Sequence, residues 1–150
     1  MILELIPDDD PRLHSKAEIL NLHQWPELNE TIDAMFKLMH SHDGMGLAAP
    51  QVGVMKRLFI MWNSNSSTHY VCINPRVIKL GKKTAVKNEG CLSYPDQKVL
   101  VERPIEIRVT YQNLRGTKVT KKLVGIMARC FLHELDHLNG VVMSDVGTVV

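Results

Sequence analysis

Near the C-terminal end of the chain the stretch HELDH, residues 133 to 137, sets two histidines four positions apart with a glutamate beside the first. On a helix, positions i and i+4 lie one above the other, so His133 and His137 can converge on one ion while Glu134 projects beside it. That arrangement suits a hydrolytic metal centre; the bland alternative is a pair of core histidines hydrogen-bonded within the interior. Catalytic zinc-type sites use three protein ligands and leave a fourth position for water, so a third donor is needed. A downstream glutamate of the thermolysin kind is missing, because no glutamate follows His137. The metzincin pattern His-Glu-x-x-His-x-x-Gly-x-x-His matches as far as Gly140 and then fails at Met143. The third ligand must come from upstream.

The best upstream donor lies in EGCLS, Glu89 to Ser93. Cys91 follows Gly90, which allows close backbone approach, and it falls in a loop between predicted strands. A thiolate fits beside two imidazoles, although a free cysteine is more often a small buried hydrophobe. Cys130 is the rival, three residues before His133. Cys91 is preferred because three ligands from one short helix would crowd one side of an ion. A further segment, GMGLAAPQVG from Gly44 to Gly53, has so little side-chain bulk that a peptide-like ligand could approach its backbone, with the Gln51 amide at its end. By itself it is equally a tight helix-to-strand connection.

These residues need elements to position them. From Gly125 to Leu138, the residues Ile126, Met127, Ala128, Cys130, Phe131, Leu132, Leu135 and Leu138 leave little of a helix polar, which predicts a central, buried helix containing HELDH. Ile32, Met35, Phe36 and Met39 predict another helix from Asn29, as its N-cap, to His40, ended by Gly44 and Gly46. Between Arg57 and Val124, the stretches RLFIMW, HYVCI, RVIKL, KVLVE, IEIRVTY and TKVTKKLV read as short strands. In IEIRVTY, Ile105, Ile107, Val109 and Tyr111 alternate with polar residues and predict one buried face, and NLRG supplies a hairpin turn. The proline-punctuated segment before Pro26 is predicted to wrap the surface. Sequential strands with helices at both ends predict an α+β domain built on antiparallel sheet.

A chain of 150 residues has the length of one domain, so residues 1–150 are read as a single unit. Its hydrophobic share of 45% is that of a soluble globular protein, and a formal charge of +2 makes no electrostatic case for nucleic acid. Lys82, Lys83 and Lys87, and Lys118, Lys121 and Lys122, read as solvated strand and turn residues. No apolar run is long enough to cross a bilayer and MILELIPDDD has no basic leader, so a cytoplasmic location is expected. Cys72, Cys91 and Cys130 are too few and too scattered for a disulfide framework and predict reduced thiols.

Together GMGLAAPQ, EGCLS and HELDH resemble the peptide deformylase family, which carries Gly-x-Gly-x-Ala-Ala-Pro-Gln, Glu-Gly-Cys-x-Ser and His-Glu-x-x-His in this order. The likeness extends to DPRL, PQVG and DHLNG and so spans nearly the whole chain. It implies antiparallel β-sheets around a central helix bearing the His-Glu-x-x-His motif. It also implies removal of the formyl group from the formyl-methionine N-terminus of nascent bacterial-type polypeptides, with release of formate. Through the resemblance Cys91, His133 and His137 are the expected metal ligands, Glu134 the general acid and base, and Gln51 with the backbone N–H of Leu92 the oxyanion donors. Met45, Gly46 and Gly90 are expected to hold the peptide extended, and Ile126, Arg129 and Cys130 to border it. Glu89 is expected to pair with Arg103 and steady the cysteine loop.

The residues themselves allow this chemistry. A bound ion lowers the pKa of water, Glu134 can take the proton, and each donor to the developing oxyanion is worth about 3 kcal/mol. One thiolate and two imidazoles suit one divalent transition metal: Zn2+, Fe2+, Co2+ or Ni2+ rather than magnesium or calcium. The resemblance points to Fe2+ as the native ion. It also implies a monomer with transient ribosome association, no membrane and no specific nucleic acid. The rival readings are a metalloprotease cutting internal bonds, which lacks its third ligand here, and a deformylase-like binding module without activity, against which the intact Glu134, Gln51 and Cys91 speak. Leu132 stands where the family commonly has glutamine. Arg129, four residues before His133, is predicted to lay its stem along the pocket wall and send its guanidinium to water; the alternative is a charge at the pocket mouth that makes the site more tolerant of acidic or polar side chains in place of methionine. The chain ends at SDVGTVV without the C-terminal helix or strand of many bacterial members, a short form that resembles phage-encoded deformylases.

Overall fold

In the computed structural model, which describes residues 1–150, the elements run α1 (Leu28–Ser41), β1 (Gly46–Ala48), β2 (Leu58–Asn63), β3 (Thr68–Leu80), β4 (Thr84–Cys91), β5 (Tyr94–Pro104), β6 (Glu106–Gln112), β7 (Lys118–Val124), α2 (Gly125–Leu138), α3 (Met143–Val146) and β8 (Thr148–Val149). The strands pair antiparallel throughout, in a five-stranded sheet of order β1-β2-β3-β6-β7 and a three-stranded sheet of order β4-β5-β8. This is the mixed helix and antiparallel-sheet class that the alternating and helical periods predict.

β2 organises the larger sheet. Leu58, Phe59, Ile60 and Met61 are all fully buried, and because successive side chains of a strand point to opposite faces, both faces of β2 must be covered. Leu58 and Ile60 pack with Ile32, Met35 and Met39 of α1. Phe59 and Met61 pack with Ala128 and Phe131 of α2. The rings of Phe59 and Phe131 meet edge-on, with centroids 4.9 Å apart. The sheet is thus held between the two helices, and α2 cannot rotate without breaking this contact.

Both ends of α2 are pinned. Gly125 opens it at φ 62, a left-handed conformation that favours glycine, and its N–H donates to the Ile105 carbonyl at 2.8 Å. At the other end the Arg57 guanidinium donates to the Leu138 carbonyl at 2.9 Å, placing a cation on the negative end of the helix dipole.

Several sequence expectations are corrected. Asn29 lies inside α1 and does not cap it; the helix begins at Leu28 after Glu27. HYVCI and RVIKL form one strand, β3, because Asn74 takes a left-handed φ of 50 and its amide bonds the Leu20 N–H and carbonyl and Gln112, so the chain crosses Asn74-Pro75 without leaving the sheet. β4 was not foreseen, and Cys91 ends that strand and does not lie in a loop. The GMGLAAPQVG loop contains β1 and a 3-10 turn at Ala49–Val52. Ile105 is 41% exposed, since Pro104 ends β5 and β6 starts only at Glu106. The N-terminal segment does run along the outside, but Leu13, Ala17 and Leu20 are buried from it. The C-terminal tail, read as ending without a further helix or strand, forms α3 and β8: Met143 packs on Val99 and Val101, and Thr148 and Val149 pair with β5.

Because Phe59 is fully buried and wedged against Phe131, Phe59→Ala is expected to lower the unfolding free energy by about 3–5 kcal/mol, measured by urea denaturation.

Candidate active site

β1 is an edge strand of the larger sheet and β4 an edge strand of the smaller. A cleft of about 450 Å³ has both on its wall, through Gly46 of β1 and Glu89, Gly90 and Cys91 of β4, together with His133 and Glu134 of α2. Edge strands leave a row of backbone N–H and C=O groups free to pair with an extended chain.

Cys91, His133 and His137 bring one donor atom each to within 4.8 Å of one another. Cys91 Sγ lies 3.4 Å from His137 Nε2. His133 engages Glu89 Oε1 through Nδ1 at 2.9 Å, which leaves Nε2 as its free nitrogen. A metal-ligating histidine needs this arrangement, in which one ring nitrogen is fixed by a carboxylate and the other carries the lone pair. Burial, with help from His133 and Arg103, pulls His137 down to about 3, so its ring is neutral, as a ligand must be. Burial opposes charge on His133 too, but Glu134, Cys91 and Glu89 outweigh it and raise its pKa to about 10. A metal ion, if these three residues hold one, would have to displace that proton from His133, since a ligating imidazole must be neutral. Cys130, the rival ligand, is not in this group. Its Sγ is 3.6 Å from the Met45 carbonyl, and burial pushes its thiol well above the ordinary range.

Glu134 Oε1 is buried with no hydrogen-bond partner, and burial raises the carboxyl to about 7 despite the opposing pull of His133. Opposite it, the Gln51 side chain is locked. Its Oε1 accepts from the Ala48 N–H at 2.9 Å, and its Nε2 donates to Ser93 Oγ at 2.9 Å and lies 3.5 Å from Cys91 Sγ. At Gly46 a Cβ would stand 2.6 Å from Glu134 Oε2 and 2.8 Å from Cys130 Sγ, so only glycine lets β1 approach α2 this closely. At Gly90 a Cβ would meet only Lys98 Nζ at 3.5 Å, which leaves that strand face open to the cleft. Leu92 and Met45 border the cleft half-buried, and Ile126 is 60% exposed.

Glu89 gathers the supporting groups. Arg103 donates to it through Nε at 2.5 Å and Nη2 at 2.9 Å, and through Nη1 to Asp136 at 2.9 Å. Arg129 Nη1 adds a bond to Glu89 Oε2 at 2.7 Å. The expectation that the Arg129 guanidinium reaches water is therefore corrected: its side chain is only 12% exposed, because Glu89 and two backbone carbonyls satisfy it inside. Burial would raise the Glu89 carboxyl, but its bonds to Arg103 and His133 hold it down at about 2.

The sequence profile of the family described as polypeptide deformylase matches residues 2–148. The chain belongs to that family. The peptide deformylase of Thermotoga maritima is 43% identical over 136 residues, covering 91% of this chain and 81% of that protein. The crystal structure of peptide deformylase from Thermotoga maritima superposes with a TM-score of 0.91 at 39% identity, over 97% of each chain. A probable peptide deformylase from Synechococcus phage S-SSM7 superposes with a TM-score of 0.88 at 36% identity, covering 96% of this chain and 99% of that one. The chain is a hydrolase of the deformylase kind, acting in N-terminal processing, and the protease and inactive-module readings are set aside.

Within this deformylase, sequence reasoning gave no role to Ser93, Asp136 or Arg129 as polar anchors. Ser93 and Asp136 sit inside the quoted motifs, at EGCLS and HELDH, and that adjacency was the available signal. The Glu89 pKa yields a pH prediction. A carboxyl held below its ordinary 4.5 adds stability above that pH and loses it as pH falls toward about 2. Glu89→Gln is therefore expected to be less stable than the parent at pH 6, with the gap closing between about pH 4.5 and 2. Urea unfolding of both metal-stripped proteins across that range checks it; a gap independent of pH would show that the charge of Glu89 contributes nothing.

Proposed function

We propose that Cys91, His133 and His137 hold one divalent transition metal, and that Glu134 moves the proton while the formyl group of a formyl-methionine N-terminus is hydrolysed beside it. The observation that carries this reading is the convergence of one sulfur and two imidazole donors next to a buried carboxylate with a free oxygen. The donor set suits ferrous iron, zinc, nickel or cobalt, and the resemblance to deformylases favours ferrous iron as the native ion. Such an ion supplies Lewis acidity, which acidifies a water and polarises the formyl carbonyl.

The remaining steps belong to the chain. Glu134, raised to about 7, takes the proton of the attacking water as the new C–O bond forms. The Gln51 Nε2–H and the backbone N–H of Leu92 donate to the oxygen that becomes negative. When the C–N bond breaks, Glu134 returns the proton to the leaving amine, and formate and a free methionine N-terminus depart. The peptide lies extended along the unpaired edges of β1 and β4, held by the backbone of Met45, Gly46 and Gly90. Ile126, Cys130 and the stem of Arg129 border its methionine side chain. In this reading α2 is the central element that bears the motif, and residues 1–150 act as one domain. By the same resemblance the enzyme works as a cytoplasmic monomer on nascent polypeptides, with transient ribosome contact.

Metal analysis after anaerobic purification is expected to find about one transition metal per chain, lost in Cys91→Ala and retained in Cys130→Ala and Cys72→Ala. Full occupancy in Cys91→Ala would move the site elsewhere. In metal-replete Glu134→Ala, formate release from a formyl-methionine tripeptide is expected to fall by about 10²–10⁴-fold while the metal stays bound. Activity near that of the parent would remove Glu134 from the proton-moving role.

A further inference from the structure

Arg129 is placed where its three acceptors report on the spacing of two separate elements. From α2, Nη1 donates to Glu89 Oε2 at 2.7 Å and to the Val101 carbonyl at 2.8 Å, and Nη2 donates to the Ala85 carbonyl at 2.8 Å. Glu89 and Ala85 belong to β4 and Val101 to β5, so one side chain of the helix holds both strands of the hairpin that ends in Cys91. A buried guanidinium is costly unless its donors are met, so the helix and hairpin are held at the one separation that meets all three.

Arg103 does the complementary task from the other side. It lies on β5, grips Glu89 through two nitrogens, and reaches α2 through Asp136. His133 therefore stands between two anchor points on its own helix, residue 129 one turn before it and residue 136 one turn after it. Both are tied by guanidinium groups to the hairpin. Asp136 is 28% exposed, whereas the acceptors of Arg129 include main-chain oxygens that cannot swing away. Glu89 in turn accepts from Arg103, Arg129 and His133, so both of its oxygens are fully used and the His133 ring is fixed by its Nδ1 bond.

We propose that Arg129 is a positioning residue of the metal centre: with Arg103 it forms a two-guanidinium clamp that fixes Glu89, and through it His133, and sets the distance between the Cys91 strand and the histidine helix. The inference rests on the metal-ligand reading above. Groups of this kind, one shell out from the ligands, are worth about 10–100-fold in metal affinity or activity.

The test titrates metal-stripped protein with Co2+, following the thiolate-to-cobalt absorption, and compares the parent with Arg129→Met and Arg129→Lys. Arg129→Met keeps an apolar stem and loses the three bonds. It is expected to bind Co2+ about 10–100-fold more weakly, to shift the absorption band, and to lower kcat on a formyl-methionine tripeptide with KM within about threefold of the parent. Arg129→Lys keeps the charge without the fork and recovers part of the affinity; should Arg129→Met not fold, the lysine variant carries the comparison with the parent. Parental Co2+ affinity and spectrum in Arg129→Met, with only a lower melting temperature, would overturn the proposal and leave Arg129 a fold residue. Unchanged Co2+ affinity with an altered preference between formyl-Met and formyl-Glu peptides would overturn it in favour of substrate reading. Cys91→Ala separates the underlying reading: if it binds Co2+ as the parent does, the ligand assignment itself fails, and the clamp with it.

Discussion

A carboxylate almost without contact with water sets the terms for this structure. Glu89 is buried between two arginines and a histidine, and removing a charge from water is tolerable only when its hydrogen bonds are complete. Each partner arrives from a different place: Arg103 from β5, Arg129 and His133 from α2. The condition that all of them reach Glu89 is therefore a condition on the relative position of the hairpin and the helix. The same condition settles which nitrogen of His133 is free, and so which nitrogen can face Cys91.

Two glutamates of the same cleft are driven in opposite directions. Glu89 has cationic partners on both oxygens and is held near 2, while Glu134, with one oxygen unpartnered, is pushed by burial to about 7. Separation of this kind divides labour between like residues: the first remains charged and structural, and the second can gain and lose a proton near neutral pH. Gly46 matters to the second because any side chain there would collide with Glu134.

The substrate side of the cleft follows from how the sheets end. β1 and β4 are both edges, and neither is covered by another strand on the cleft side. Exposed edges are a liability in most proteins, but here β1 is only 3 residues long and residues of both edges line a confined cleft. In the proposed reading, a peptide N-terminus that enters as an extended chain meets backbone groups first and the buried polar cluster at its end.

What the sequence determined by itself was whatever depends on near neighbours. The 3.6-residue period from Gly125 to Leu138 made α2 legible, and within it the i, i+4 spacing already put His133 and His137 together. The alternating strands of the larger sheet were readable for the same reason, and the ordered trio of motifs carried the family. The tertiary structure decided what depends on pairing between distant segments. β4 is mostly exposed and polar and has no alternation to read, so only its partner β5 makes it a strand. Its register is what delivers Cys91, not Cys130, to the histidines. Asn74 joins two apparent strands through contacts with Leu20, and the tail becomes α3 and β8 only because β5 offers an edge. Arg129 shows the division most clearly: helical spacing placed it on the correct side of α2, but where its guanidinium ends was set by a carboxylate and two carbonyls that lie 28 to 44 residues away in the chain, which no local pattern encodes.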